Sequence, residues 1–229
     1  QRVVEEIDRL FPNAKVIRWD RDVLKEKKSY REVISQFTKG EADILVGTQM
    51  IAKGLHIPRV SLVGVILADV GMHLPDFRAG ERSFQLLCQV SGRAGRGMSA
   101  GKVVIQTYSS DNYAIQSAAI QDYDKFYIKE IDFRRQHNNP PFTKLVRLLY
   151  RHPNNDKCQR EAERVERLLL KNRLASGSTH IDIIGPAPAF PSRIRGLYRW
   201  HIFVRGQDPS SLTAGIKLPK SWTVDVDPV

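Results

Sequence analysis

Asp43-Ile44-Leu45-Val46-Gly47-Thr48-Gln49-Met50-Ile51-Ala52-Lys53-Gly54 sets a short apolar run directly before a loop framed by glycines. Asp43–Gly47 has the composition of a strand buried on both faces, as strands in parallel sheets are. In such sheets ligands gather at the carboxyl ends of the strands, where the chain turns and backbone amides are free. The Thr48 hydroxyl, the Gln49 amide and the Lys53 ammonium thus stand where a phosphate can be held. Toward the N-terminus, Val3, Val4, Ile7, Leu10 and Phe11 repeat with a helical period that ends at Pro12. Lys15–Trp19 reads as a strand, and Ser29–Lys39 as a helix with Tyr30, Val33, Ile34 and Phe37 on one face, closed by Gly40. Toward the C-terminus, Val60–Ala68 is a strand interrupted only by Gly64, Ala79–Val90 a helix and Lys102–Tyr108 a further strand. Strands alternating with helices predict βαβ units and an α/β fold with a parallel sheet.

Residues 111–139 predict one long connecting helix, stopped by Asn138-Asn139-Pro140-Pro141. A second unit follows. Lys144–Arg151, Ile181–Ile184, Leu197–Val204 and Trp222–Val226 read as strands. Asp156–Arg173, with Val165, Leu168 and Leu169 inward, and Ser210–Lys217 read as helices. The order βαββαβ is the split-βαβ, ferredoxin-like plan. The expected domains are therefore 1–110, the connecting helix 111–139, and 140–229.

Composition narrows the class. The 229 residues carry 36 Lys+Arg against 25 Asp+Glu, a formal charge of +11. That excess favours a polyanionic partner. It is spread evenly: 17 basic against 12 acidic groups in 1–110, and 19 against 13 in 111–229. With 41% hydrophobic and 27% charged residues the chain reads as a soluble globular protein. No apolar run approaches the roughly 20 residues of a membrane helix. Cys88 and Cys158 make neither a disulfide framework nor a four-cysteine zinc site, which suits a reducing, intracellular setting. Gln1-Arg2-Val3-Val4-Glu5-Glu6 has no initiator Met and no apolar leader, so the sequence is expected to be part of a longer protein.

A second motif, Gln89-Val90-Ser91-Gly92-Arg93-Ala94-Gly95-Arg96-Gly97, closes the Ala79–Val90 helix. Arg93 and Arg96, each preceded by glycine, present planar forks of donors suited to phosphate oxygens. A triphosphate-binding P-loop is absent. Among Gly-Lys pairs there is only Gly101-Lys102; Val103 follows it, and Arg96 stands where the loop's first glycine belongs. Arginines without a cradle of their own typically stabilise charge on a nucleotide held by another module. In the second unit Arg193, Arg195, Arg199 and Arg205 interleave with Tyr198, Trp200, His201 and Phe203, with no acid between them. Arginines for phosphates and aromatic faces for bases are the usual pairing in single-stranded nucleic-acid binding. Strand alternation puts Tyr198, Trp200 and Ile202 on one face and Arg199, His201 and Phe203 on the other, so part of the aromatic set belongs to a core. The Asp156–Arg173 helix mixes Arg160, Arg164 and Arg167 with Glu161, Glu163 and Glu166 and reads as a solvated face.

From Asp43 to Gly97, with Leu74-Pro75-Asp76-Phe77-Arg78-Ala79 and Glu81-Arg82, and again at Asp225-Val226-Asp227-Pro228, the chain resembles the primosomal replication-restart helicases, the PriA family. The resemblance implies that residues 1–110 form most of a second RecA-like helicase lobe, following the family's zinc-binding insertion, and that 140–229 form a DNA-binding domain. Gly47–Gly54 then matches helicase motif V, with Thr48, Gln49 and Lys53 linking the DNA backbone to the nucleotide site. Gln89–Arg96 matches motif VI, with Gln89, Arg93 and Arg96 in catalytic roles, and Gly92, Gly95, Arg93, Arg96 and Lys53 as the residues that contact the nucleotide. ATP and Mg²⁺ are implied as cofactors held mainly by a first lobe upstream, and zinc only in the upstream insertion. Implied partners are branched or single-stranded DNA, the single-strand-binding protein and primosome proteins, in the bacterial cytoplasm. The implied activity is ATP-dependent 3′-to-5′ unwinding at stalled forks, absent from this chain alone. Leu55, where the family has a His, and Leu67, at the first position of what is often Asp-Ala-Asp, depart from the pattern. They motivate an alternative, a nucleic-acid-binding scaffold with decayed helicase motifs.

Overall fold

The computed structural model describes residues 2–19, 30–48, 60–92 and 101–228, which separate into two compact units. The fold is mixed α/β. The first unit comprises residues 1–73 and 78–128. Helix α1 (Arg2–Leu10) ends before Pro12, as its apolar spacing predicts. Strands β1 (Val16–Trp19) and β2 (Ile44–Gly47) pair in parallel, Val16 opposite Ile44 and Trp19 opposite Gly47. Helix α2 (Tyr30–Thr38) lies between them in sequence, and its Val33 packs with fully buried Trp19, Ile17 and Leu45. Strands β3 (Leu62–Val65) and β4 (Lys102–Ile105) form a second parallel pair. Ile44, Leu45 and Val46 are half-buried, where burial on both faces was expected. Among the described residues β2 has one strand neighbour, β1, along one of its two edges.

Helix α3 (Ala79–Ser91) buries Phe84 and Leu87 against Ala114, Ile115, Ala118 and Phe126, with Val65 and Ile105 of the strands at the edge of the cluster. The Phe84 and Phe126 rings stack at 4.2 Å. In place of one helix over 111–139 there are two, α4 (Tyr113–Ala119) and α5 (Tyr123–Gln136). Gln121 takes a left-handed conformation, φ 55°, which breaks the helical ladder. Each helix begins on its own Asx cap: Asn112 accepts from the Ala114 amide, and Asp122 from the Lys125 amide at 2.8 Å.

The second unit comprises residues 74–77 and 129–229. Its elements run β5 (Lys144–His152), α6 (Asn155–Ser176), β6 (Asp182–Ile194), β7 (Leu197–Gly206), α7 (Pro209–Ala214) and β8 (Trp222–Val226). The four strands form one sheet in the order β6-β7-β5-β8, every neighbour antiparallel. Val146 and Leu148 of β5 and Ile202 and Val204 of β7 are fully buried against Ala162, Val165 and Leu169 of α6 and Leu212 of α7. Helix α6 starts where Asn154 accepts from the Lys157 amide and stops at Gly177, φ 66°. Glu161 on α6 accepts from Arg164 and from the Trp222 indole at 3.0 Å; the Arg164 hydrogen bond outweighs partial burial and holds its carboxyl below the usual range.

Strand β6 runs ten residues past the expected Ile184 end. Pro186, Pro188 and Pro191 read as stops, yet β6 is an edge strand, where a missing amide costs no ladder bond. The pairing with β7 is instead interrupted twice, between Ile184 and Ala187 and between Pro188 and Arg193. Gly185 sits at the first interruption with φ 102°, and a Cβ there would meet the His201 carbonyl at 2.9 Å. Only glycine fits that bulge.

Candidate nucleic-acid interface

The first unit holds two sequence motifs whose residues are only partly within the described set. Thr48 follows Gly47 at the carboxyl end of β2 and is exposed. Gln89 is exposed in the last turn of α3, and the Gly92 amide closes that helix on the Cys88 carbonyl at 2.9 Å. Gln49, Lys53, Leu55, Arg93, Gly95 and Arg96 lie outside the described residues. Leu67 is described and takes a left-handed φ of 60° just after β3. Asp69, next in that turn, is buried and accepts from the Thr107 hydroxyl at 2.9 Å and the Tyr108 amide at 3.0 Å, tying the end of β3 to the end of β4. Burial opposes its charge, but these hydrogen bonds prevail and its carboxyl lies below the ordinary range. Asp69 is thereby committed to structure.

The second unit carries the arginine-rich strand, and strand register separates its side chains onto two faces. Trp200 packs with Tyr150 against the helix-covered core, and its indole donates to Asn155 Oδ1 at 3.0 Å. The opposite face joins Leu145, Arg147, Leu149 and Arg151 of β5 to Arg205, Phe203, His201 and Arg199, their respective partners on β7. Arg205 donates to Asp182 at 2.8 Å, to the His137 carbonyl at 2.8 Å and to Asn139 Oδ1 at 3.4 Å, so its fork is filled from within the unit. Arg199 donates to the Pro191 carbonyl at 3.0 Å. Arg193 lies over the Tyr198 ring, 4.9 Å from its centroid. Arg195 and Gly196, φ 50° and 82°, make the two-residue turn between β6 and β7. Residues 190–196 are all exposed there, with Arg193 and Arg195 as the charges. The four arginines named from sequence thus divide into one internal strut, one half-buried member of the sheet face and two at an exposed turn.

Two further arginines escaped the sequence reading. Arg147 is half-buried, ion-paired with Asp225 at 2.7 Å, and Arg151 is exposed directly opposite Arg199. Their alternation with Leu145 and Leu149 placed them on one face of β5, but only the β5–β7 register brings that face to Arg199 and His201. Partial burial, then Arg151 and Arg147, shift the Arg199 guanidinium downward from its usual value. Partial burial, then Arg147 and Arg199, likewise lower the His201 imidazole and favour its neutral form.

Two family models match, one per region. Residues 3–98 match the helicase conserved C-terminal domain, and residues 135–229 match the primosomal protein N C-terminal domain. The replication restart protein PriA of Bacillus subtilis is 42% identical over 217 residues, 95% of this chain and 26% of that protein. Along 95% of its length this chain is therefore similar to a replication restart protein PriA. The PriA of a Synechocystis species is 40% identical across 90% of this chain, and that of Chlamydia trachomatis 39% across 96%. The chain spans 24% and 30% of those two proteins, so it corresponds to roughly a quarter of a PriA's length. Both motifs lie within the helicase match, and the arginine face and turn within the primosomal one. Among the described residues no group of three or more His, Cys, Asp or Glu can hold a metal ion, and no helix is long and apolar enough to cross a membrane.

Proposed function

We propose that this chain supplies the second RecA-like lobe and the C-terminal DNA-binding domain of an ATP-dependent 3′-to-5′ helicase that remodels stalled or branched forks for replication restart. In this reading residues 1–110 constitute the lobe and 140–229 the DNA-binding domain, and the strand order β6-β7-β5-β8 with the βαββαβ sequence supports a split-βαβ plan for the latter. The observation that carries the reading is the pairing of a helicase C-terminal match with a primosomal C-terminal match in one chain.

Exposed Thr48 and Gln89, at the ends of β2 and α3, suit contacts to a phosphate, and Arg93 and Arg96 follow Gln89 in sequence. ATP bound between two lobes supplies a γ-phosphoryl whose transfer to water is sensitive to positive charge. In this reading Arg96, with Arg93, places a guanidinium against that developing charge, while Thr48, Gln49 and Lys53 relay the state of the site to the DNA backbone. Asp69 is held by Thr107 and Tyr108, and in this reading a Mg²⁺ ion would take its ligands mainly from the other lobe. The single-strand-binding protein is a partner of the whole assembly in this reading.

Titrating a fluorescent forked DNA with the chain at several salt concentrations tests the DNA-binding part. Affinity falls linearly in log–log form, with a slope of about −0.9 per phosphate neutralised on duplex. Binding that ignores salt would count against any arginine–phosphate interface. A scaffold with decayed motifs is the second reading, favoured by Leu55 and Leu67; it predicts the same salt slope but no contribution to ATP turnover.

A further inference from the structure

Arg151 and Arg199 stand directly opposite each other across the β5–β7 pair. Like charges at that spacing, Cβ atoms about 5 Å apart, destabilise a sheet. Asp182 and Asp225 lie on the same face, but Arg205 engages the first and Arg147 the second. Among the described residues no carboxylate pairs with Arg151 or Arg199, although Arg134, Arg135 and Arg164 of the same unit each have a carboxylate partner. His201 is flanked on its own strand by Arg199 and by Phe203, whose ring is 4.7 Å away. On β5 it faces Leu149, with Arg147 and Arg151 two residues to either side; on β6 it faces Ala187, which carries no charge. On β8, beyond β5, the charged residue of this face is Asp225, already held by Arg147.

We infer that Arg147, Arg151, Arg199 and His201 form an elongated seat for the phosphates of a nucleic-acid backbone, on the sheet face opposite α6 and α7. The proposal rests on the reading of 140–229 as a DNA-binding domain and adds Arg147, Arg151 and His201 to it. Four residues of strand from Arg147 to Arg151 span about 13 Å. A DNA strand rises about 3.4 Å per phosphate along the duplex axis and its phosphates lie farther apart than that along the winding backbone, so that length reaches past a single phosphate and is too long for one small anion. Arginine forks bind such oxygens in pairs and lose no charge at any physiological pH. An incoming phosphate relieves the Arg151–Arg199 repulsion. It also reverses the electrostatic balance at His201, now held toward neutrality by burial and two arginines, so docking draws a proton onto the imidazole.

The test uses the 229-residue chain, the same forked DNA and three variants: Arg151→Ala, Arg199→Ala and Arg167→Ala. Arg167, exposed on α6, makes the same charge change away from this face. Arg151→Ala and Arg199→Ala each flatten the salt slope by about one, and Arg167→Ala leaves it unchanged. Arg151 is exposed, so its truncation reads the contact without disturbing the core. In parallel, NMR titration of the His201 imidazole reports a higher pKa with DNA bound than without, because the backbone phosphates offset the lowering by burial, Arg147 and Arg199. Inorganic phosphate at equal phosphate concentration moves it far less. A wild-type slope in both sheet variants, or a His201 titration unmoved by DNA, overturns the seat while salt-dependent wild-type binding keeps the DNA-binding reading intact. A free-anion site, in which inorganic phosphate matches DNA, overturns it as well. Wild-type binding without salt dependence removes both readings together.

Discussion

Replacing Arg96 by alanine in a complete helicase of this type lowers the turnover number for ATP by about 10³ to 10⁵, the range over which an arginine finger acts. DNA affinity stays near wild type. A P-loop is missing from this chain, so in the proposed reading the other lobe cradles the nucleotide and the Arg96 guanidinium reaches its phosphates. Its effect is confined to the moment when charge develops on the transferred phosphoryl, which lowers kcat and leaves KM for ATP comparatively little changed. Steady-state ATPase at saturating DNA, alongside a binding isotherm for the same DNA, separates the two quantities. An Arg96→Ala enzyme that retains its turnover would remove the finger and leave Gln89–Gly97 an ordinary surface turn. One that loses DNA binding in proportion would make Arg96 a DNA ligand.

The largest effect on stability is expected at Leu148. It is fully buried at the middle of β5, between β7 and β8 and beneath α6. Leu148→Ala removes three buried carbons from a packed core and costs about 2–5 kcal/mol, the spread reflecting how far the site collapses. Leu174→Ala makes the same chemical change on α6, where the side chain is 81% exposed, and shifts stability by about 0.5 kcal/mol at most. The two units need separate readouts, because one transition does not describe a chain with two cores. Amide hydrogen exchange along β5 and β7 in rising urea reports the second unit alone. Equal losses from both substitutions would contradict the assignment of the sheet's helix-covered face as its core.

Local signals in the sequence were good where one element decided its own limits. Trp222–Val226 is β8 residue for residue, because turn-forming neighbours bound a short alternating run. The break between α4 and α5 was legible in principle: Asn112 and Asp122 are both helix caps, but continuous apolar spacing across Ile120 hid the second. The extension of β6 was not legible, since prolines end a central strand and are tolerated on an edge, and edge position is a property of the assembled sheet. The same holds for the arginines. Arg205 looked equivalent to Arg199 along the strand, yet Asp182, His137 and Asn139 converge on it from 23, 68 and 66 residues away. Arg147 and Arg151 reach Arg199 only through the pairing of strands separated by α6 and β6. Residue type announced a phosphate-binding chemistry; register decided which arginines are available for it.

In the proposed reading this chain is half of a catalytic pair, with phosphate-directed arginines and no P-loop of its own. DNA-stimulated ATP hydrolysis measures it most directly, first with the chain alone and then with the chain joined to the upstream portion of a PriA. The expected result is no turnover from the chain alone at any DNA concentration, and turnover that rises on adding forked DNA once the two portions are joined. ATPase from the isolated chain, or its persistent absence in the joined protein, would contradict it.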